Sequence, residues 1–502
     1  MPPFLQFRLW LRESPATERV LAAIAAVVAL GLIVLALVPV TNDDSTTELA
    51  VDSHGLSATS TTLATTDVMT DTSTPIAVGG ASRAPATRGV TGGTNDATTA
   101  AACHGIAASG PGVTATQVSI DVSTISLAGP VGNSTFGIRP DLHDIATALA
   151  DEINKTGGVA CGRKLAIKIY DVNPLDTNDA QAKCLDMVAD KPYLVLDFGG
   201  YLGQATRACF VQNKLPIISS VAIDSAEQKS AFPYVVSPRN LAEDQVRQSI
   251  LGLAERGFFK APKFKKLGLF EDSCLPAVNK EIDARLAQVG VKPNQVSKFT
   301  LDCATAAAPN QTAQAVLQHK GDNVTHVFLA TANANSENYS RIAANQAFRP
   351  VYGIGDYGEG VTPSGASNWD ASFDGAMGIT STHTGETFSG MTNAKVKACD
   401  QIMKRHGVNG FTSEAKDLAL LAFCDLYDFF RATINNAGSN PVRTGFGPAI
   451  SGIGEFVTAY AGDGNFTTPG KVNGNDFQRA IQFHTDCGCW KVLDAFRPAY
   501  AA

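Results

Sequence analysis

The densest group of reactive side chains lies near the end of the sequence, where His484, Asp486, Cys487 and Cys489 occur together. Imidazole, carboxylate and thiolate groups are the usual ligands of zinc, which makes this group a candidate metal site. However, its spacing matches none of the recognised zinc patterns. The ten cysteines are an even number, which is typical of disulfide-bonded proteins outside the cytosol. The sequence therefore favours oxidised cysteines here and predicts no bound metal.

The other motifs give no sign of catalysis. The sequence contains no GxSxG nucleophile elbow, no GxxxxGKS or GxxxxGKT phosphate-binding loop and no HExxH pair of histidines. Adjacent acids such as Glu243 and Asp244 seldom face one substrate, because neighbours in sequence point in different directions. We therefore expect a protein that is not an enzyme and that needs no cofactor.

The composition excludes two further classes of protein. Of the 502 residues, 44% are hydrophobic and 17% are charged, which is typical of a globular chain and not of a wholly disordered one. The formal net charge is −7, so the chain offers no broad basic surface to a nucleic acid. The length allows several domains.

A candidate membrane anchor lies close to the N-terminus. Residues 20–40 read VLAAIAAVVALGLIVLALVPV, an uncharged run that would span about 30 Å as a helix. Arginines precede the run and aspartates follow it, which predicts a cytoplasmic segment 1–19 and an extracytoplasmic remainder. A cleaved signal peptide is the alternative, but its apolar region is normally shorter and ends at small residues. We expect an uncleaved, single-pass anchor in the cell membrane.

The next stretch, residues 41–112, has a different composition. It is rich in Thr, Ser, Ala and Gly, and it contains no aromatic residue and no lysine. Such a segment buries too little apolar surface to offset the entropy that ordering costs. The sequence predicts a flexible linker here.

From about residue 113 the sequence alternates between strand and helix patterns. Leu142, Ile145, Leu149 and Ile153 follow one another at spacings of three and four, as on one face of a helix. Such alternation is typical of parallel sheets with right-handed crossovers, and about 390 residues suggest two lobes. We predict strands at 118–122, 165–170, 193–198, 215–219, 267–270, 324–329 and 351–354, and helices at 141–154, 178–189, 278–289 and 338–347.

The order of these patterns resembles the type I periplasmic binding proteins, in particular the leucine/isoleucine/valine-binding receptors of ABC transporters. The stretches GVTATQVSI, AGPVGNSTFG and ADEINKTGGVACGRKLAIKIYDVNPLD are similar to the first βαβ unit of that family. FPYVVSPR (232–239) and GAMGITSTH (375–383) resemble two strands that cross between its lobes. The resemblance covers residues 113–500 and implies two α/β lobes with parallel sheets flanked by helices, three crossing strands and a ligand in the cleft.

The resemblance also implies where a ligand carboxylate is bound. One loop of the family offers backbone amides and hydroxyls, and it corresponds here to Gly200, Tyr201 and Gln204. A second loop corresponds to Ser219, Ser220 and Ala222, whose short hydroxyls suit a carboxylate. The alternative is that these hydroxyls bond their own backbone at a strand end. Asn133 and Ser134 are further candidates, at the mouth of the cleft.

The second lobe is expected to bind the other end of the ligand. Glu359 falls on the acid that pairs with the ligand ammonium in the family, the alternative being a solvated loop glutamate. The aromatic side chain that often covers the ligand is missing from the loops containing Asp272 and Asn333. These two residues suggest a more polar pocket, although either could be a turn residue, and they put a branched-chain aliphatic ligand in doubt.

The cysteines suggest five disulfide bonds, of which one is implied by related receptors and the others by position. The related receptors imply Cys184–Cys209. Position on neighbouring elements suggests Cys103–Cys161, Cys274–Cys303 and Cys399–Cys424, which leaves Cys487–Cys489. The sequence alone does not prove this connectivity.

Together these observations predict a membrane-anchored extracytoplasmic solute-binding protein. It would capture a small amino-acid-like or carboxylate ligand for an ABC permease, with no nucleic-acid partner. The alternative is a cell-surface interaction or sensory protein that kept the fold without the ligand. The predicted bounds are 1–19 for the cytoplasmic N-terminus, 20–40 for the transmembrane helix, 41–112 for the linker, 113–237 with 381–465 for lobe 1, and 238–380 with 466–502 for lobe 2.

Overall fold

Two β-sheets, each flanked by helices, form the framework of the protein in the computed structural model. The structure describes residues 103, 105–126, 138–173, 176–198, 202–302, 309–366, 368–389, 391–412 and 415–500. All of them belong to one compact unit, Val90–Ala502. The candidate anchor at 20–40 and most of the linker lie outside the described residues.

The first sheet has five parallel strands in the order β2-β1-β3-β4-β5. Its central strands are short and fully buried, as expected where helices cover both faces. The strands are β1 (Gln117–Ile125), β2 (Lys164–Val172), β3 (Val195–Asp197), β4 (Ile217–Ser219) and β5 (Val235–Val236). The helices between them are α1 (Leu142–Lys155), α2 (Thr177–Asp190), α3 (Gln204–Gln212) and α4 (Ser225–Ala231).

The second sheet has eight strands, of which five consecutive ones, ending at one edge of the sheet, are parallel. They are β6 (Leu267–Asp272), β7 (Val296–Leu301), β8 (His326–Ala330), β9 (Val351–Gly355) and β10 (Met377–Thr380). A C-terminal hairpin adds β13 (Phe477–His484) and β14 (Cys489–Val492) in antiparallel pairing, and β15 (Arg497–Pro498) also pairs with β13. The helices that accompany this sheet are α5 (Ala242–Glu255), α6 (Pro276–Gln288), α7 (Pro309–Gly321), α8 (Asn333–Asn345) and α9 (Pro363–Ala366).

The chain then returns to the first sheet. It adds α10 (Ala394–Arg405), α11 (Leu418–Asn436) and α12 (Arg443–Ile450), followed by the small ribbon of β11 (Glu455–Phe456) and β12 (Gly464–Asn465). The buried face of α1, with Ile145 and Leu149, shares one hydrophobic core with α10 and α11. All strands and helices listed from the sequence pattern are confirmed, with ends that differ by a few residues. The pattern gave no strand for β7 or for the C-terminal hairpin, and no bounds for several helices, among them α3, α5, α7 and α11.

Three segments of chain pass between the two sheets and lie side by side. The first follows β5, the second follows β10 and the third leads into β13. The amide of Gly474 donates to Pro238 O at 2.9 Å, and the side-chain amide of Asn475 donates to Ser381 Oγ at 2.9 Å. These bonds join the first crossing to the third and the third to the second. The residue bounds given above for the lobes remain a prediction.

The last residues of the predicted linker are bound to the folded body. Arg163, which is 1% exposed, donates from Nη2 to Ala107 O at 2.9 Å and from Nε to Thr114 O at 2.7 Å. Gly112 has a φ of +74° and lies so close to the backbone of Tyr193 that a Cβ atom would clash with it. Ordered contacts therefore begin before residue 113.

Four of the suggested disulfide bonds are present among the described residues. They are Cys103–Cys161, Cys184–Cys209, Cys399–Cys424 and Cys487–Cys489. Cys274 is also disulfide-bonded, while Cys303 lies outside the described residues, so that pairing stays a prediction. Within the part of the chain that the structure describes, no helix is long and apolar enough to cross a membrane.

Candidate functional site

A cavity of about 290 Å³ lies between the two sheets, next to the crossing segments. The first sheet contributes the ends of β1 and β3, the loop after β4, the start of α1 and the first half of α11. The second sheet contributes the start of α8 and the loops after β9. The carboxyl ends of parallel strands supply binding loops in α/β proteins, and this volume is near the lower end for ligand pockets.

Ser220 is the predicted carboxylate-binding residue that the first sheet places in the cavity wall. It follows the last residue of β4, and its amide donates to Asp197 O at the end of neighbouring β3 at 3.2 Å. Its hydroxyl oxygen is buried and has no hydrogen-bond partner among the described residues. The hydroxyl does not bond its own backbone, so it is available to a ligand in the cavity.

Glu359 and Arg239 form an ion pair in the cavity wall. Arg239 comes from the first crossing segment and is 4% exposed, and its Nη1 donates to Glu359 Oε1 at 2.7 Å. Removal from water raises the pKa of the Glu359 carboxyl above its usual value, and the Arg239 guanidinium opposes that rise. The predicted ammonium partner thus lines the cavity, but a cation of the protein already contacts it.

The loop that carries Glu359 has an unusual backbone. Gly358 and Glu359 both adopt positive φ angles, +66° and +60°. A Cβ atom on Gly358 would lie 2.4 Å from Thr331 O, so the loop packs directly on the end of β8. A glutamate in this conformation costs of order 1–3 kcal/mol, and such residues cluster at functional sites. The strain is consistent with a loop whose shape serves to aim the Glu359 side chain.

Asn333 lines the cavity and Asp272 does not. Asn333 is the first residue of α8, where its amide group donates to Glu337 and its Oδ1 has no partner among the described residues. Asp272 is 7% exposed and accepts hydrogen bonds from Tyr357 Oη at 3.2 Å and from the Cys274 amide at 3.2 Å. It shapes the loops behind the cavity wall instead of making the pocket polar.

The wall contributed by the first lobe is mostly apolar. Phe198, at the end of β3, stacks on Phe423 of α11 with ring centroids 4.2 Å apart. Helix α11 presents Leu418, Ala422 and Leu426 to the cavity, since residues four apart share a face. Among the described residues, all the aromatic side chains of the wall come from this lobe: Phe198, Phe456 and Tyr460.

Asp425 holds the turn that contains Tyr460, which is part of this wall, in position. It is a 4% exposed carboxylate in the middle of apolar α11, and it accepts the amides of Ala459, Tyr460 and Ala461 at 2.6, 2.8 and 2.9 Å. Burial nevertheless raises the pKa of Asp425 to about 6. The three bonds fix the turn that carries Tyr460 into the cavity wall.

The other predicted site residues fall into two groups. Gln204 at the start of α3, Ser219 within β4 and Ala222 do not line the cavity. Asn133, Ser134, Gly200 and Tyr201 lie outside the described residues. The sequence analysis missed Arg239, Phe198, Asp425 and Tyr460. The sequence did contain a signal for Asp425, which lies within the long apolar run of α11. An aspartate buried among apolar residues needs several hydrogen-bond donors nearby, so its position indicates a built structural feature.

The residues first considered as a metal site do not form one. Cys487 and Cys489 are joined by a disulfide bond in the turn between β13 and β14. Across the described ranges, no group of three or more His, Cys, Asp or Glu side chains is arranged to hold a metal ion.

Comparison with solved structures shows the fold. A fatty acid ABC transporter substrate-binding protein from Thermomonospora curvata has a TM-score of 0.59 and 14% identity, covering 78% of this chain and 95% of that one. A leucine binding protein from Thermotoga maritima has a TM-score of 0.57 and 15% identity, covering 76% and 98%. A solute binding protein from Rhodopseudomonas palustris, in complex with 3,4-dihydroxy benzoic acid, has a TM-score of 0.56 and 12% identity, covering 77% and 98%.

At these identities the comparisons establish the architecture alone. The chain has the α/β fold of the type I periplasmic binding proteins, which confirms the resemblance seen in the sequence. The neighbours named above are described as binding proteins and not as enzymes. No protein-family model matches the chain, and no curated protein matches it.

Proposed function

We propose that this protein is an extracytoplasmic solute-binding protein that captures a small amino-acid-like or carboxylate ligand between its lobes and presents it to an ABC permease. The observation that carries the proposal is the cavity of about 290 Å³, whose wall is built from both sheets. Two of the structural neighbours are described as ABC transporter binding proteins, one of them for fatty acids, and they support the same role.

The arrangement suits a mechanism of lobe closure. Ser220 belongs to the first lobe, whereas Asn333 and Glu359 belong to the second, so one ligand can contact both lobes at once. Such a ligand binds the closed state better than the open state and therefore shifts the population towards closure. The crossing segments, bonded side by side, are the part of the chain about which the lobes would rotate.

The same cavity favours solute binding over the alternative of an interaction protein that has lost its ligand. A cleft that no longer binds a ligand should be filled by large side chains. Here Ala419 and Ala422 of α11 lie in the wall, and the Ser220 hydroxyl has no partner in the part of the chain that the structure describes.

The binding role is tested by thermal unfolding of the full-length chain with amino acids, small carboxylates, polyamines and sugars. A ligand at one hundred times its dissociation constant adds about 2.7 kcal/mol of stability, which raises the midpoint by a few degrees. The Ser220→Leu variant should lose the shift because leucine enters the cavity. Ser230→Leu, on the exposed face of α4, is the matched control and should keep it. A folded wild-type protein that responds to no compound would overturn the proposal.

We also propose that residues 20–40 anchor the protein in the cell membrane, with 1–19 in the cytoplasm and 41–112 as the linker. The uncharged run and its flanking charges support this. Alkaline carbonate should leave the full-length chain in the membrane pellet and release a chain that begins at residue 41. Recovery of the mature protein without residues 20–40 would instead identify a cleaved signal peptide.

A further inference from the structure

Four side chains in the cavity wall carry buried polar atoms that have no hydrogen-bond partner among the described residues. These atoms are Ser220 Oγ, Arg239 Nε, Asn333 Oδ1 and Tyr460 Oη. Buried polar atoms of folded proteins are nearly always paired, so a group of such atoms around one cavity indicates a polar ligand. The hydroxyl of Ser220 and the guanidinium of Arg239 are donors, and the ligand group that fits both is an anionic acceptor.

Ser220 and Arg239 are held near each other by the backbone. Ser237 Oγ donates to Val221 O at 2.9 Å and accepts from the amide of Arg239 at 3.1 Å. The loop after β4 and the first crossing segment are therefore joined at the cavity. The two donors thus belong to one stretch of wall, and Lys416 adds a further positive charge to the cavity lining.

The acidic side chains in the described wall are Glu359 and Asp425, and both already have donors. Glu359 accepts from Arg239 at 2.7 Å, and Asp425 accepts three backbone amides. A ligand ammonium would have to compete with a guanidinium for Glu359. The site therefore offers donors to a carboxylate but no uncompensated acid to an ammonium.

The rest of the wall is suited to hydrocarbon. Phe198 and the face of α11 formed by Leu418, Ala422 and Leu426 line the cavity. Apolar ligand atoms that leave water for this surface gain about 25 cal/mol for each Å² that is buried. A ligand that is polar at both ends would leave this surface without a matching group.

We infer that the ligand is a small monocarboxylate with an apolar body and without an ammonium group. This inference rests on the proposed function and adds the class of ligand. The carboxylate accepts from Ser220 and Arg239, and the body lies against Phe198 and α11. Asn333 Oδ1 is an acceptor and fits a hydroxyl group on the ligand body.

Matched probes separate the chemical groups. Calorimetric titration of the full-length chain should use 4-methylpentanoate, leucine (the same acid with an ammonium group) and 4-methylpentan-1-ol (the same body without a carboxylate). A second pair is 3-phenylpropanoate and phenylalanine. The acids should bind at least tenfold more tightly than the matching amino acids and the alcohol.

Two substitutions on the same helix test where the apolar body lies. Ala422 and Ala432 are half-buried alanines of α11, but Ala422 lines the cavity and Ala432 does not. Ala422→Leu should weaken binding of the acids at least tenfold, whereas Ala432→Leu should change it less than twofold. Equal affinity of the two variants for the acids would overturn the placement of the ligand body, and the inference with it.

The outcomes distinguish this inference from the function on which it rests. If leucine or phenylalanine binds as tightly as its matching acid, or if a sugar or polyamine binds instead, the ligand class is overturned and the binding role stands. If no compound of either panel binds to the folded protein, both are overturned.

Discussion

His383 lies where the second crossing segment enters the first lobe. Its titration should change the free energy of unfolding of the protein. Its Nδ1 lies 2.6 Å from Glu386 Oε2 and its Nε2 lies 3.2 Å from Asp463 Oδ1. The side chain is 8% exposed. Burial opposes the charged form, but the two carboxylates outweigh it and raise the pKa of His383 from 6.5 to about 9.

The size of the effect follows from the difference in pKa between the folded and unfolded chains. Because the folded pKa is the higher one, the stabilisation is complete below pH 6.5 and is lost as the pH rises through 9. It amounts to about 3 kcal/mol at pH 6, about 2 kcal/mol at pH 7.5 and less than about 0.5 kcal/mol at pH 9. His383→Gln, which removes the charge, should lose these amounts at each pH.

The assay is urea unfolding of both proteins between pH 6 and pH 10, followed by the fluorescence of Trp369 and Trp490. His143→Gln is the control, because His143 pairs with Asp171 at 2.8 Å but is 54% exposed. An exposed pair contributes about 0–1 kcal/mol. The reasoning is refuted if the difference between wild type and His383→Gln stays constant with pH or grows as the pH rises.

Three further substitutions test other parts of the structure by the same unfolding measurement. Replacing Cys184 and Cys209 by Ala should lower the free energy of unfolding by about 3 kcal/mol, because this disulfide bond closes a loop of 25 residues. The same change at Cys487 and Cys489, which are 2 residues apart, should lower it far less. Equal losses for the two pairs would contradict this. Arg163→Ala removes the donor to the buried carbonyl of Ala160 and the donor to Ala107 O, so it should cost at least about 2 kcal/mol and make residues 105–112 accessible to proteases. Continued protection of this segment would count against the reasoning. Gly358→Ala should destabilise the chain by about 1–3 kcal/mol and weaken ligand binding, because the added Cβ atom would press on Thr331 O. Unchanged stability and unchanged ligand affinity would contradict this prediction.

The alternation of strands and helices could be predicted from the sequence because it depends on local patterns. The spacing of Leu142, Ile145 and Leu149 identifies α1 directly, and the short apolar runs identify the buried strands. β7 was missed because its burial alternates weakly at the sheet edge. The C-terminal hairpin was missed because its strands pair antiparallel with a sheet whose other members are parallel.

The site was only partly predictable, for a physical reason. Ser220, Asn333 and Glu359 lie in loops that follow parallel strands, and topology alone brings such loops together. Arg239 pairs with Glu359 over 120 residues of sequence. Asp425 binds amides more than thirty residues away. Contacts of this kind depend on how elements pack, which no local pattern contains.

Helix α11 connects the stability of the first lobe to the chemistry of the cavity. One side of the helix, with Phe423, packs in the hydrophobic core, and Phe423 stacks on Phe198, which itself lines the cavity. The apolar wall is thus the outer layer of that core and is held as rigidly as the core is. A ligand body placed on it needs little reorganisation of the protein, so more of the free energy from apolar burial remains as affinity. The polar groups act differently, since Ser220 and Asn333 come from separate lobes and contact one ligand only when the lobes close. The apolar wall can therefore hold a ligand on the open first lobe, while the polar contacts determine whether closure follows.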